Sequence, residues 1–139
     1  MHDDVLSAKP ISPSFVGFSI EVGSAPQVFL VNGTGGKPRA SFASLLNQLN
    51  PFGINTRIGG NSADESAWVN VPDPLPSNST YRITQADLDA YGAARAWNGT
   101  LTLDVTLRYT DPKYALAHVQ AALASSESSL FTSFEIGNE

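Results

Sequence analysis

Glu21, Asn61, Ser62, Asn138 and Glu139 are the residues of this chain best suited to binding and protonating oxygen. Each follows a short apolar stretch. Phe15-Val16-Gly17-Phe18-Ser19-Ile20 leads to Glu21, Ile54 to Ile58 opens onto Gly59-Gly60-Asn61-Ser62, and Leu130 to Ile136 runs into Gly137-Asn138-Glu139. Carboxylates and amides make paired hydrogen bonds to hydroxyls. A carboxyl that keeps its proton can donate it to a leaving oxygen, and glycoside cleavage needs both functions. Paired glycines at Gly59-Gly60 allow a sharp backbone turn or the close approach of a ligand. Taken singly, Glu21 and Asn61 read as ordinary strand-end and turn residues. A further strand ending in Gly-Asn-Glu favours one shared site, because the strand mouths of a parallel barrel converge. Asp104 lies inside a strand and is not placed at that site.

The elements that would position these residues alternate in type. A first strand over 15–21 is bounded by Pro13 and Gly23. A Gly/Pro-rich loop follows, holding the apolar run Val28 to Val31. Phe42, Leu45, Leu46 and Leu49 recur at helical spacing and predict one buried helix face, ended by Pro51 and Gly53. After the strand at Ile54 to Ile58, the segment from Ala63 to Arg82 carries several prolines and reads as a surface loop. Thr84 with Asp87 resembles a capping box and starts a helix that runs to Trp97 and stops at Asn98-Gly99. Leu101, Leu103, Val105 and Leu107 alternate with polar residues as a third strand. Asp111-Pro112 opens a helix whose buried stripe is Ala115, Val119, Ala122 and Leu123, broken by Ser125 to Ser129 before the last strand. This βαβα order predicts a mainly parallel sheet with right-handed crossovers. A doubly wound open sheet and part of an eight-stranded barrel both fit. Strict alternation in the third strand is unexpected for a sheet buried on both faces.

Composition narrows the function. The 139 residues suit one domain, 42% hydrophobic and 15% charged, with a net charge of −5. Phosphate binding needs a basic surface, so a nucleic-acid partner is disfavoured. No apolar run is long enough to predict a transmembrane helix. Gly33-Thr34-Gly35-Gly36-Lys37 fails the P-loop spacing, because Val31 stands where a glycine is required and Pro38 where Ser or Thr is. The dinucleotide fingerprint fails at Pro38 too, so an open-sheet nucleotide-binding domain is the weakest reading. His2 and His118 lack companions for a metal site, no cofactor is implied, and no Gly-x-Ser-x-Gly elbow is present. There is no cysteine to report a redox compartment. Sequons at Asn32, Asn78 and Asn98, all in turn-like sequence, point to a secreted protein, although Met1-His2-Asp3-Asp4 shows no signal peptide.

Three segments together resemble glycoside hydrolase family 79, which holds β-glucuronidases and heparanase-like enzymes: Phe15-Val16-Gly17-Phe18-Ser19-Ile20-Glu21, Arg57-Ile58-Gly59-Gly60-Asn61-Ser62-Ala63-Asp64 and Phe134-Glu135-Ile136-Gly137-Asn138-Glu139. They resemble the first, second and fourth barrel strands of that family, most closely its secreted fungal members, over essentially the whole chain from about Ser12. The resemblance implies the N-terminal half of a (β/α)8 barrel and a retaining mechanism. It makes Glu139 the general acid/base and Asn138 the partner of the sugar 2-hydroxyl. It places Glu21 on hydroxyls of a glucuronate ring and has Asn61 and Ser62 line the same subsite. The family's nucleophile is a Glu on a later strand, and its grip on the substrate carboxylate also comes from later parts of the fold. Residues 1–139 are therefore expected to be a partial catalytic domain, inactive alone and prone to self-association through open sheet edges. The competing expectation is a non-catalytic carbohydrate-binding or structural remnant of the same fold.

Overall fold

The computed structural model describes residues 15–70 and 75–138. Strand β1 (Gly17–Glu21) passes through a 3-10 turn into the short helix α1 (Ala25–Phe29) and then α2 (Ala40–Leu49). Strand β2 (Asn55–Gly59) is followed by the one-turn helix α3 (Asn61–Asp64) and by strands β3 (Ser66–Trp68) and β4 (Tyr81–Ile83). Helix α4 (Gln85–Tyr91) tightens into a 3-10 helix over Gly92–Trp97. Strand β5 (Thr100–Val105), helix α5 (Lys113–Ala124) and strand β6 (Phe131–Ile136) complete the described chain.

The main sheet has the order β1-β2-β5-β6, and every pairing in it is parallel. The order never reverses, whereas a doubly wound sheet reverses at its switch point. Right-handed crossovers that always step the same way place their helices on one face. On that face Phe18, Ile20, Ile58, Leu101, Leu103, Val105 and Phe134 join the core. Phe29, Phe42 and Trp97 pack over them, with ring centroids 5.2 Å apart for Phe29–Trp97 and 5.6 Å for Phe42–Trp97.

The opposite face is polar. Ser19 and Ser133 are exposed there, while Asn55, Arg57, Thr102 and Glu135 are half-buried. Asn55 donates to the Thr100 hydroxyl at 3.0 Å, Thr102 donates to Asn55 Oδ1 at 3.0 Å, and the Thr102 and Ser133 hydroxyls lie 2.7 Å apart. This accounts for the alternation in β5: its even-numbered residues meet a polar face, its odd-numbered ones the helices.

Several expectations are corrected. The loop from Ala63 to Arg82 contains structure: β3 and β4 form a parallel pair in register from Ser66↔Tyr81 to Trp68↔Ile83. Strands of three residues are too short to show a period, and all of β3 is buried. Val28 and Phe29 lie in α1 rather than in a loop, and Leu30 bridges to Pro38. Helix α2 buries Ala43 and Leu46, with Phe42 packed against the core, but Leu45 and Leu49 stay exposed. Helix α5 buries Tyr114, His118 and Ala122; Ala115 and Val119 are half-buried and Leu123 is exposed. These are the crossover helices next to the two outer strands, where no further described helix covers their outer flanks. The start of α5 is shifted by one residue: Pro112 stands at the N-cap rather than at the first helical position, no side chain caps the helix, and Asp111 Oδ1 accepts the Lys113 N–H at 3.0 Å just before it. The third strand ends at Val105, leaving Leu107 exposed.

Candidate functional site

The carboxyl ends of β1, β2, β5 and β6 lie side by side, and polar residues of all four strands meet there, most of them in one hydrogen-bonded cluster. Arg57 is its centre. The parallel register puts Arg57 between Ser19 on β1 and Thr102 on β5. Its Nε donates to Glu135, a short ion pair across the sheet. Nη2 donates to Asp104 Oδ2 at 2.9 Å and to Asn138 Oδ1 at 3.0 Å, and Nη1 donates to the Ser19 hydroxyl at 3.2 Å. The hydrogen bond that Arg57 donates to Glu135 raises its pKa above the ordinary value, so the guanidinium stays charged.

Asp104 lies beneath this guanidinium, 1% exposed. Burial pushes its carboxyl up to about 6, against the pull of Arg57. Its Oδ1 is buried without a partner among the described residues. Room for the pair comes from Gly59, where a Cβ would stand 2.8 Å from both the Arg57 Cζ and the Asp104 Cβ.

Glu21 accepts the Ser62 N–H at 2.8 Å and also the Ser62 hydroxyl. That hydroxyl first, then the backbone N–H, holds the Glu21 carboxyl below its usual range. Gly60 turns the chain toward it with a φ of 82°, and a Cβ there would stand 2.3 Å from Glu21 Oε1. The carboxylate thus ties the mouth of β1 to the start of α3 by accepting the Ser62 backbone N–H. Asn138 links the Arg57 network to the start of α3 by donating to Asn61 Oδ1 at 3.0 Å.

Glu21, Asn61, Ser62 and Asn138, all named from sequence, therefore meet at one end of the sheet. Glu139 lies outside the described residues, as does His2. Arg57, Asp104 and Glu135 were not assigned to the site from sequence, although a signal existed. Ser19 and Glu21, Asn55 and Arg57, Thr102 and Asp104, Ser133 and Glu135 share the period-2 phase opposite the apolar residues of their strands. His118 is packed inside the helical layer, 4% exposed, and burial holds its pKa down at about 4. Among the described residues no group of three or more His, Asp or Glu side chains could hold a metal ion, and no helix is long and apolar enough to cross a membrane.

The sequon asparagines Asn32, Asn78 and Asn98 are all exposed. Asn32 and Asn98 also adopt left-handed backbone, with φ of 71° and 52°, a conformation that favours Asn over most residues. No protein-family model matches the chain, and no curated protein matches it either.

The arrangement can present amide and hydroxyl donors and ionised acceptors to a polyhydroxylated ligand at the strand mouths. Arg57 is outnumbered by Glu21, Asp104 and Glu135. The described residues therefore offer more acceptors for hydroxyl groups than cations for a ligand carboxylate.

Proposed function

We propose that this chain is part of a retaining glycoside hydrolase, β-glucuronidase-like, that cleaves β-linked glucuronic acid from glycans or glycosides. The observation that carries this reading is the convergence of Glu21, Asn61, Ser62 and Asn138 at one end of a singly wound parallel sheet. The barrel reading draws support from two further features. The strands follow each other in chain order, and on the polar face side chains from several strands are joined by hydrogen bonds near the strand mouths. In this reading Glu139 donates a proton to the glycosidic oxygen as the C–O bond breaks. A carboxylate from a later strand, about 5 Å away, attacks the anomeric carbon. Water then releases the sugar, losing its proton to Glu139.

The chain by itself, without that nucleophile, is not expected to turn over substrate. Strands β1 and β6 each have one edge unpaired among the described residues, and Leu107, Leu116 and Ile136 are exposed beside β6. Self-association through these edges is the expected behaviour. Secretion and glycosylation belong to the same proposal, supported by the exposed sequons.

The test is to sequence the transcript past codon 139 and assay the full product on nitrophenyl β-D-glucuronide. Turnover that Glu139→Gln abolishes supports the proposal. A full product that binds or cleaves no glucuronide sinks it, as would clear turnover by residues 1–139 alone.

A further inference from the structure

We infer that Arg57 is a positioning residue that fixes the amide of Asn138, turning its oxygen inward and leaving an N–H for the ligand. The inference that this ligand is a sugar rests on the glycosidase reading; the positioning itself does not. A guanidinium only donates. Arg57 Nη2 lies 3.0 Å from Asn138 Oδ1, which sets the amide oxygen toward Arg57. The amide nitrogen then faces Asn61 Oδ1 at 3.0 Å and spends one hydrogen there. One N–H of Asn138 remains, so the matching ligand atom is an acceptor, a hydroxyl or carboxylate oxygen.

The direction of this amide is set by the whole sheet. Arg57 stands on β2 and is held by Glu135 of β6, Asp104 of β5 and Ser19 of β1. A planar fork serves these partners at once, and a lysine ammonium on a flexible stem cannot. Gly59 keeps the space through which the guanidinium reaches Asp104. Asn138 would otherwise be a half-exposed amide after the end of its strand, free to flip.

The experiment is NMR of the isotope-labelled chain, with the Asn138 side-chain amide assigned by its loss in Asn138→Asp. One Asn138 amide proton is expected to exchange about tenfold more slowly than those of exposed Asn78, as a hydrogen-bonded donor does. In Arg57→Lys this protection should vanish while the backbone signals of β5 and β6 persist. Asn138 protons that exchange like those of Asn78 in the unmodified chain would overturn the inference without recourse to any variant. Protection unchanged in Arg57→Lys would overturn it as well. Titration of the full product of the transcript with methyl β-D-glucuronide separates the two readings. A fixed amide whose signal the glycoside never shifts leaves the positioning intact and counts against the glycosidase. Glycoside binding with a freely exchanging amide does the reverse.

Discussion

Two buried carboxylates, on opposite sides of the same sheet, are satisfied in different ways. Asp87, on the helical side, is 2% exposed and is served by neighbours in the chain. Its Oδ2 accepts from the Thr84 N–H at 2.8 Å and the Thr84 hydroxyl at 2.7 Å, and its Oδ1 from the Tyr81 hydroxyl at 2.5 Å. Asp104, on the polar side, is as deeply buried, yet its side-chain partner is Arg57 from another strand, and one of its oxygens has none. The first carboxylate closes a helix end with neutral donors, and its described hydrogen bonds are all local. The second depends on an arginine that also serves Glu135, Asn138 and Ser19. A group with all its partners nearby stabilises a helix. A group that shares a partner across strands is set up to respond to what happens at the strand mouths.

The contrast can be broken most directly by truncation. Asp87→Ala removes the cap and leaves the Thr84 N–H and the Tyr81 hydroxyl without their acceptor, so it should cost about 3 kcal/mol of stability. Asp104→Asn should cost less, since Arg57 keeps Glu135 and Asn138. Urea melts at neutral pH check both, and the reverse order would overturn the comparison.

The two sides should also differ in pH response. The Asp104 carboxyl titrates in the folded protein at about 6, above its ordinary 3.8. The folded state therefore holds its proton more tightly, and this group adds stability as pH falls through 6. His118 titrates at about 4, below its ordinary 6.5, because burial disfavours the imidazolium. The unfolded state binds that proton first, so this group removes stability as pH falls from 6.5 toward 4. Asp104→Asn should make acid destabilisation between pH 6.5 and 4 steeper, and His118→Gln should make it shallower, each by about 2 kcal/mol across the window. Identical pH–stability curves for the two variants would show that the opposition is absent.

Smaller effects should separate the mouth of β1 from the Arg57 cluster. Gly60→Ala forces a side chain onto a left-handed backbone and into the Glu21 carboxylate. The expected cost is about 1.5 kcal/mol, read by thermal melting. Ser62→Ala removes one donor from Glu21 while its backbone N–H remains, so stability should fall by only about 0.5 kcal/mol. The Glu21 carboxyl should then titrate closer to its usual range, which carboxyl-carbon NMR can follow.

Much of the helical side was legible in the chain. Thr84 and Asp87 form the capping box their spacing implies, and Asn98 takes the left-handed turn that ends the helix. Each depends on residues a few positions apart. The helix faces were read less well, because Leu45, Leu49 and Leu123 have the right spacing for burial but belong to helices at the ends of the sheet. Spacing reports that a helix has an apolar stripe; it does not report whether anything stands against all of it. The strand-end residues Glu21, Asn61, Ser62 and Asn138 were picked out by type and position. Arg57, Asp104 and Glu135 were passed over because each lies within a strand, where its polarity looks incidental until the other strands are beside it.

The sequence by itself determined the kinds of element, their order, the caps and the polar residues at the strand ends, since these follow from backbone preferences and short-range hydrogen bonds. Only the tertiary structure decided that the sheet is wound in one direction, that one of its faces is polar, and that Arg57 joins Asp104, Glu135 and Asn138. The last of these joins residues 81 positions apart. Parallel pairing supplies such contacts by stacking strands whose connections run through whole helices, and no local pattern in the chain encodes that register.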